Sequence, residues 1–187
     1  MKTRLIIVTL SFIFLGGIFS CINDNQIDSE CPYPDLAELD SINQIFFSPY
    51  LNKEYSTKTD TVDFKDFKFH IEFGFEKIQR NNGQTETPRN PVCEPEYDVQ
   101  DISNIAIILT GNYDGIQIGS DVSYLFLLPD GSSINRLREF SRMKQYMTLN
   151  LRDKPSTISQ LKTEMVIFFV DGSQIKKQSI SPFIKPD

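Results

Sequence analysis

The sequence predicts a mainly β protein, a two-sheet β-sandwich (immunoglobulin-like or similar) of six or seven strands with one or two short helices. Three observations carry this reading. Between 67 and 75, Phe67, Phe69, Ile71, Phe73 and Phe75 alternate with Lys68, His70, Glu72 and Gly74, the period-two signature of a strand with one buried face. Ile102, Ile105, Ile107 and Leu109 form a second apolar run, closed by Thr110 and Gly111. The C-terminal stretch reads as a hairpin: apolar Met165 to Val170, turn residues Asp171-Gly172-Ser173, and a return from Ile175 to Ile184 carrying Ile180 and Phe183.

The remaining elements follow in chain order. Ile42, Ile45, Phe46 and Phe47 predict a first strand over 40–48, stopped by Pro49, and residues 50–61 are polar and turn-like. Val62 and Phe64 sit in the opposite phase to the Phe-rich strand, so a bulge or bend near Lys65 and Asp66 is needed to turn both groups inward. The stretch from Gln79 to Asp98 holds Asn81, Asn82, Gly83, Pro88, Pro91 and Pro95 without periodicity, the pattern of a long functional or disordered loop. Ser120 and Asp121 can cap a short helical turn carrying Val122, Leu125 and Phe126. Ile134, Leu137 and Phe140 recur every three residues and predict a short helix over 134–142, and Met147, Leu149 and Leu151 alternate as a strand that Lys154-Pro155 ends. Leu125 to Ile134 (LFLLPDGSSI) and Val166 to Ile175 (VIFFVDGSQI) look alike; hairpin chemistry accounts for the likeness as well as an internal repeat does.

The N-terminus carries an address. Lys2 and Arg4, an unbroken apolar run from Leu5 to Leu15, and the ending Gly16, Gly17, Ile18, Phe19, Ser20, Cys21 make a secretory signal, too short for a confident membrane span. The ending resembles a bacterial lipobox, with small Ser20 just before the cysteine and aliphatic Ile18 third before it, although Phe19 departs from the usual small residue. The resemblance implies lipid on Cys21, with ordinary cleavage or an uncleaved anchor as alternatives. The expected organisation is a lipoprotein signal peptide at 1–20, a tether at 21–35 and a single β-rich domain at 36–187. If Cys21 takes lipid, Cys31 and Cys93 remain as an even pair in an oxidising compartment, where a disulfide is the default and two free thiols the alternative. Closing a loop of that length would stabilise by about 4 kcal/mol in the chain-entropy model.

The chain has 19 basic and 25 acidic side chains, a net charge of −6; losing Lys2 and Arg4 with the leader leaves 17 against 25, or −8. No basic stripe is available to neutralise phosphates, which argues against nucleic acid as a partner.

From Cys93 onward the order of features resembles a family of uncharacterised Bacteroidota lipoproteins, a domain of unknown function, over residues 93–184. The shared signs are Cys93 ahead of the Ile102 to Leu109 strand, the turn Asn112-Tyr113-Asp114, Gly119-Ser120 opening a short helix, the Leu149, Leu151, Pro155 strand, and the Asp171-Gly172 hairpin. The resemblance implies an outer-membrane location, periplasmic or surface-facing, anchored by lipid at Cys21. It carries over no catalytic residue.

Chemistry is sparse. The single histidine, His70, falls on the polar phase of its strand, and no GxSxG motif accompanies it. No Cys/His spacing suggests a metal site, and no cofactor is implied. Glu94, Glu96 and Asp98 cluster in the long loop, where a carboxylate-pair hydrolase is conceivable beside the plainer reading of a solvated acidic loop. Asn112, Asp114 and Asp121 lack the alternating ligands and terminal Glu of a calcium loop. Tyr50, Tyr55, Tyr97 and Tyr113 lie in predicted loops, with Tyr97 and Tyr113 the candidate ligand contacts. The expectation is a noncatalytic envelope lipoprotein that binds a protein or glycan through loops 79–98 and 111–121, with a structural part of an envelope assembly and a carboxylate-based hydrolase as rivals.

Overall fold

A computed structural model of the chain describes residues 31, 33–78 and 93–186. The chain divides into two compact units, Met1–Cys31 and Pro32–Asp187, and the second holds every strand described. These are β1 (Asp35–Leu51), β2 (Glu54–Ser56), β3 (Thr61–Asp63), β4 (Lys68–Lys77), β5 (Glu96–Val99), β6 (Ile102–Leu109), β7 (Phe126–Leu127), β8 (Met143–Lys144), β9 (Tyr146–Leu151), β10 (Ser159–Phe169) and β11 (Gln174–Lys185). They form a seven-stranded sheet, β7-β9-β4-β1-β5-β8 with β2 on β1, and a four-stranded sheet, β3-β11-β10-β6. The expected two-sheet sandwich is thus observed, with more strands than expected and a first strand that runs from Asp35 to Leu51 rather than over 40–48.

The core lies between the sheets, because alternate residues of each long strand turn inward. β4 contributes Phe69, Ile71 and Phe73, β6 contributes Ile107 and Leu109, and β10 contributes Met165 and Ile167; none is more than 1% exposed. Burying each of these side chains contributes about 1.5–3 kcal/mol. Phe69 meets Phe47 and Phe126 edge-on, at centroid distances of 5.4 and 5.2 Å, the arrangement that ring quadrupoles favour.

The phase change before β4 has a larger cause than a bulge. β3 pairs in parallel with β11 in the four-stranded sheet, whereas β4 pairs with β1 and β9 in the other. The 3-10 turn Phe64–Asp66 carries the chain across, and Val62 points into the core from the opposite side.

The helices shrink to single turns. Ser123–Leu125 is a 3-10 turn, held not by Ser120 but by Asp121, whose Oδ1 accepts from Ser123 N at 2.9 Å and Ser123 Oγ at 2.5 Å. Of the helix expected over 134–142 only the 3-10 turn Ile134–Arg136 forms. Ile134 and Phe140 are buried anchors of an otherwise irregular segment, and the three-residue recurrence that suggested a helix reflects that anchoring.

The two similar segments share one turn. Asp130 Oδ1 accepts from Ser132 N and Oγ at 2.9 and 2.6 Å, and Asp171 Oδ1 from Ser173 N and Oγ at 2.8 and 2.6 Å. Gly131 and Gly172 follow with φ of 83° and 88°, a region where a side chain is strained. After the second turn two long strands pair; after the first only the bridge Leu127 to Ser133 forms. Local turn chemistry therefore explains the likeness.

β1 runs along the sheet with its outer edge paired only near its two ends, by β5 and by β2. Between them, Asp101 accepts from Leu39 N at 3.1 Å, Lys177 Nζ donates to Asn43 O at 2.9 Å, and the register to β4 shifts twice. Capping, a lysine and bulges are the devices that keep a strand edge from pairing with another chain.

Candidate functional site

The outward face of the seven-stranded sheet brings three exposed tyrosines, Tyr50, Tyr55 and Tyr146, close together. Its geometry begins with the β1–β2 hairpin. Leu51 pairs with Glu54 around Asn52 and Lys53, whose φ values of 53° and 68° make a two-residue turn of the left-handed kind that matches strand twist. That turn sets Tyr50 opposite Tyr55, with ring centroids 4.8 Å apart. Tyr55 in turn leans on Phe46 at 4.5 Å.

Strand pairing extends the row. Phe46 lies opposite His70, and His70 opposite Thr148, in one line across β1, β4 and β9. The neighbouring line is Gln44, Glu72 and Tyr146. Alternation forces this: Phe47 and Phe69 face the core, so Phe46 and His70 face out. The result is a continuous patch in which Tyr50, Tyr55 and Tyr146 are 57, 45 and 48% exposed, with the Phe46 ring between Tyr55 and Tyr146.

Polar groups are built into the patch. Glu72 accepts from Gln44 Nε2 at 2.7 Å and from Gln145 Nε2 at 3.1 Å, one amide on each oxygen. Its charge, with a hydrogen bond, raises the Tyr146 hydroxyl above the usual phenol range. The His70 ring stacks on Phe46 at 4.9 Å and 14°. Its Nε2 bonds Ser48 Oγ at 2.6 Å and its Nδ1 bonds Thr148 Oγ1 at 2.9 Å. Burial, and then the Lys68 charge, lower its pKa, so the ring is neutral near pH 7. The Ser48–His70 contact has the spacing of a nucleophile and its base, but Nδ1 meets a hydroxyl, where a hydrolytic triad places a carboxylate to stabilise the imidazolium. The contacts tie Ser48, His70 and Thr148 together across β1, β4 and β9.

Of the residues singled out from sequence, His70, Tyr50 and Tyr55 belong to this patch, while Tyr97, Tyr113 and the loop carboxylates fall elsewhere. Tyr113 is a core residue, 3% exposed, and its hydroxyl has no hydrogen-bond partner among the described residues. Burial and the charges of Asp114 and Asp153 push that phenol far above its usual pKa. The expectation for Tyr113 as an exposed ligand contact thus meets a buried ring. Tyr97 is half-buried on β5 with its ring 4.5 Å from Phe75. Glu94 pairs with Lys144 at 2.6 Å and Glu96 with Arg142 at 3.8 Å, so both belong to ion pairs flanking the β5–β8 pairing. Asp114 accepts from the backbone N of Ser156 at 2.8 Å and from its hydroxyl, tying its loop to a segment distant in sequence rather than capping a local turn as Asp121 does. Among the described residues, no group of three or more His, Cys, Asp or Glu could hold a metal ion. Cys31 and Cys93 are disulfide-bonded, in agreement with the default for an oxidising compartment. Cys21 and loop 79–92 lie outside the described residues.

Phe46 and Tyr146 escaped the sequence reading as site residues. Phe46 enters it only as a residue of the first strand and Tyr146 does not enter it, although parity places both: with Phe47, Leu149 and Leu151 inward, their neighbours one or three residues away turn out. No family model, curated protein or solved structure matches the chain. Among the described residues no helix is long and apolar enough to cross a membrane.

Proposed function

We propose that this chain is a cell-envelope lipoprotein, anchored in the outer membrane by lipid on Cys21, whose sandwich is a noncatalytic glycan-binding module. The observation that carries the binding reading is the outward patch, where half-exposed Tyr55 and Tyr146 flank Phe46 and Tyr50 packs on Tyr55, beside a carboxylate and two amides. Contiguous exposed aromatic surface on a rigid sheet marks an interaction site. A sugar ring suits it, because its C–H face packs on an aromatic face while its hydroxyls bond the amides, the carboxylate and the tyrosine hydroxyls. The anchor reading rests on the leader and lipobox-like ending.

The binding test is native affinity electrophoresis of the full chain in detergent through gels containing soluble polysaccharides. Retardation by at least one polymer, lost in Tyr55→Ala with the fold intact by circular dichroism, is the expected result. Equal migration through every polymer gel would overturn the glycan reading. The anchor is tested separately, by whole-cell protease treatment and fractionation of the native chain beside Cys21→Ala: release on mutation supports lipid attachment, and unchanged membrane association argues against it.

A further inference from the structure

Resting on that reading of the face, we infer that the ligand is an uncharged, extended glycan bound along an internal segment that crosses the strands. The shape of the patch is the first reason. The patch spans four adjacent strands, from Tyr55 on β2 through Phe46 on β1 and His70 and Glu72 on β4 to Tyr146 on β9. Three strand spacings amount to about 14 Å, longer than any single sugar ring. The rings at the two ends of the row, Tyr55 and Tyr146, are 45 and 48% exposed, so solvent reaches both ends and a chain can continue past either. A site for a chain end would need a wall at one side.

Charge is the second reason. The polar centre is Glu72, with each oxygen already taking one amide proton; spare lone pairs accept from sugar hydroxyls, whereas a uronate or sulfate would meet a like charge. His70 is held neutral and offers no compensating cation. Lys68, the nearby positive group of β4, sits two residues before His70, at the start of the strand, displaced from Glu72 along the face.

The test uses the full chain in detergent, in gels containing neutral β-glucan, xylan, galactomannan or dextran, or acidic polygalacturonate. It then titrates oligomers of one to six units of whichever polymer retards it, before and after borohydride reduction of their ends. A neutral polymer is expected to retard the chain more than polygalacturonate. Affinity should rise at least about tenfold from one unit to three or four and then level, with end reduction having no effect on the longer oligomers. Tyr55→Ala and Tyr146→Ala should each lose about tenfold, a single aromatic contact's worth by hot-spot standards. Saturation by a monosaccharide, loss on end reduction, or preference for polygalacturonate would overturn the extended, uncharged ligand while leaving glycan binding at this face intact. Retardation untouched by both tyrosine variants would place the ligand elsewhere and overturn the inference together with the face. Absence of retardation by every polymer overturns the glycan reading itself.

Discussion

Along β4, inward Phe69, Ile71 and Phe73 are at most 1% exposed, while outward His70 and Glu72 stay half-buried and bonded to β1 and β9. The same ten-residue strand thus serves two ends by parity alone. Inward side chains are held by the loss of water from apolar surface, which is large and indifferent to direction. Outward ones are held by directional hydrogen bonds and ring contacts in a wet setting, each small in net energy. Such a face can therefore change without unfolding the protein, and stability and binding should separate by mutation.

The largest effect expected belongs to the inner face. Phe69→Ala removes a ring that touches Phe47 and Phe126 and should cost about 3–5 kcal/mol, read as a lower urea midpoint. A loss below about 1 kcal/mol would mean that the sheets do not pack as described. The disulfide comes next. Cys93→Ser removes a constraint on the unfolded chain without touching either face of β4, and should cost about 2–4 kcal/mol. The same denaturation measurement under reducing conditions should bring the native chain down to the variant; a difference that survives reduction would point to the thiol's packing.

Crossing to the outer face, Tyr55→Ala gives up three ring contacts at the surface and should lower stability by about 1 kcal/mol or less, while abolishing most polymer retardation. A stability loss as large as that of Phe69→Ala would break the contrast between the faces.

This contrast also explains what was legible in the sequence. Phe67 to Phe75 and Ile102 to Leu109 declared themselves because a core face imposes period two on apolar residues. The switch of sheet between Val62 and Phe69 showed only as a phase slip, since which sheet a strand joins depends on distant partners such as β11. The helix expected over 134–142 failed because anchors such as Ile134 and Phe140 can recur every three residues in an irregular segment pinned to a core. The site was hardest to see. Its members come from four strands, and an aromatic residue beside a polar one reads the same whether it faces core or water until parity is settled strand by strand. Tyr113 looked like a loop tyrosine for the same reason, though its ring is core.

The smallest effect sharpens the comparison through pH. His70 has its pKa lowered below 6.5, by burial first and then by Lys68. The unfolded chain therefore takes up a proton before the folded one does, so stability tied to the neutral ring is fully present above about pH 6.5 and falls as the pH drops below it. The chain contains one histidine, so no other imidazole contributes to that limb. His70→Asn retains an amide able to bond Ser48 or Thr148 but does not titrate. Urea midpoints at about pH 7 and about pH 5.5 should therefore fall more for the native chain than for the variant. Equal falls would show that the ring takes its proton as readily folded as unfolded. The stack on Phe46 and the bonds to Ser48 and Thr148 would then be too loose to form the fixed centre of the outer face.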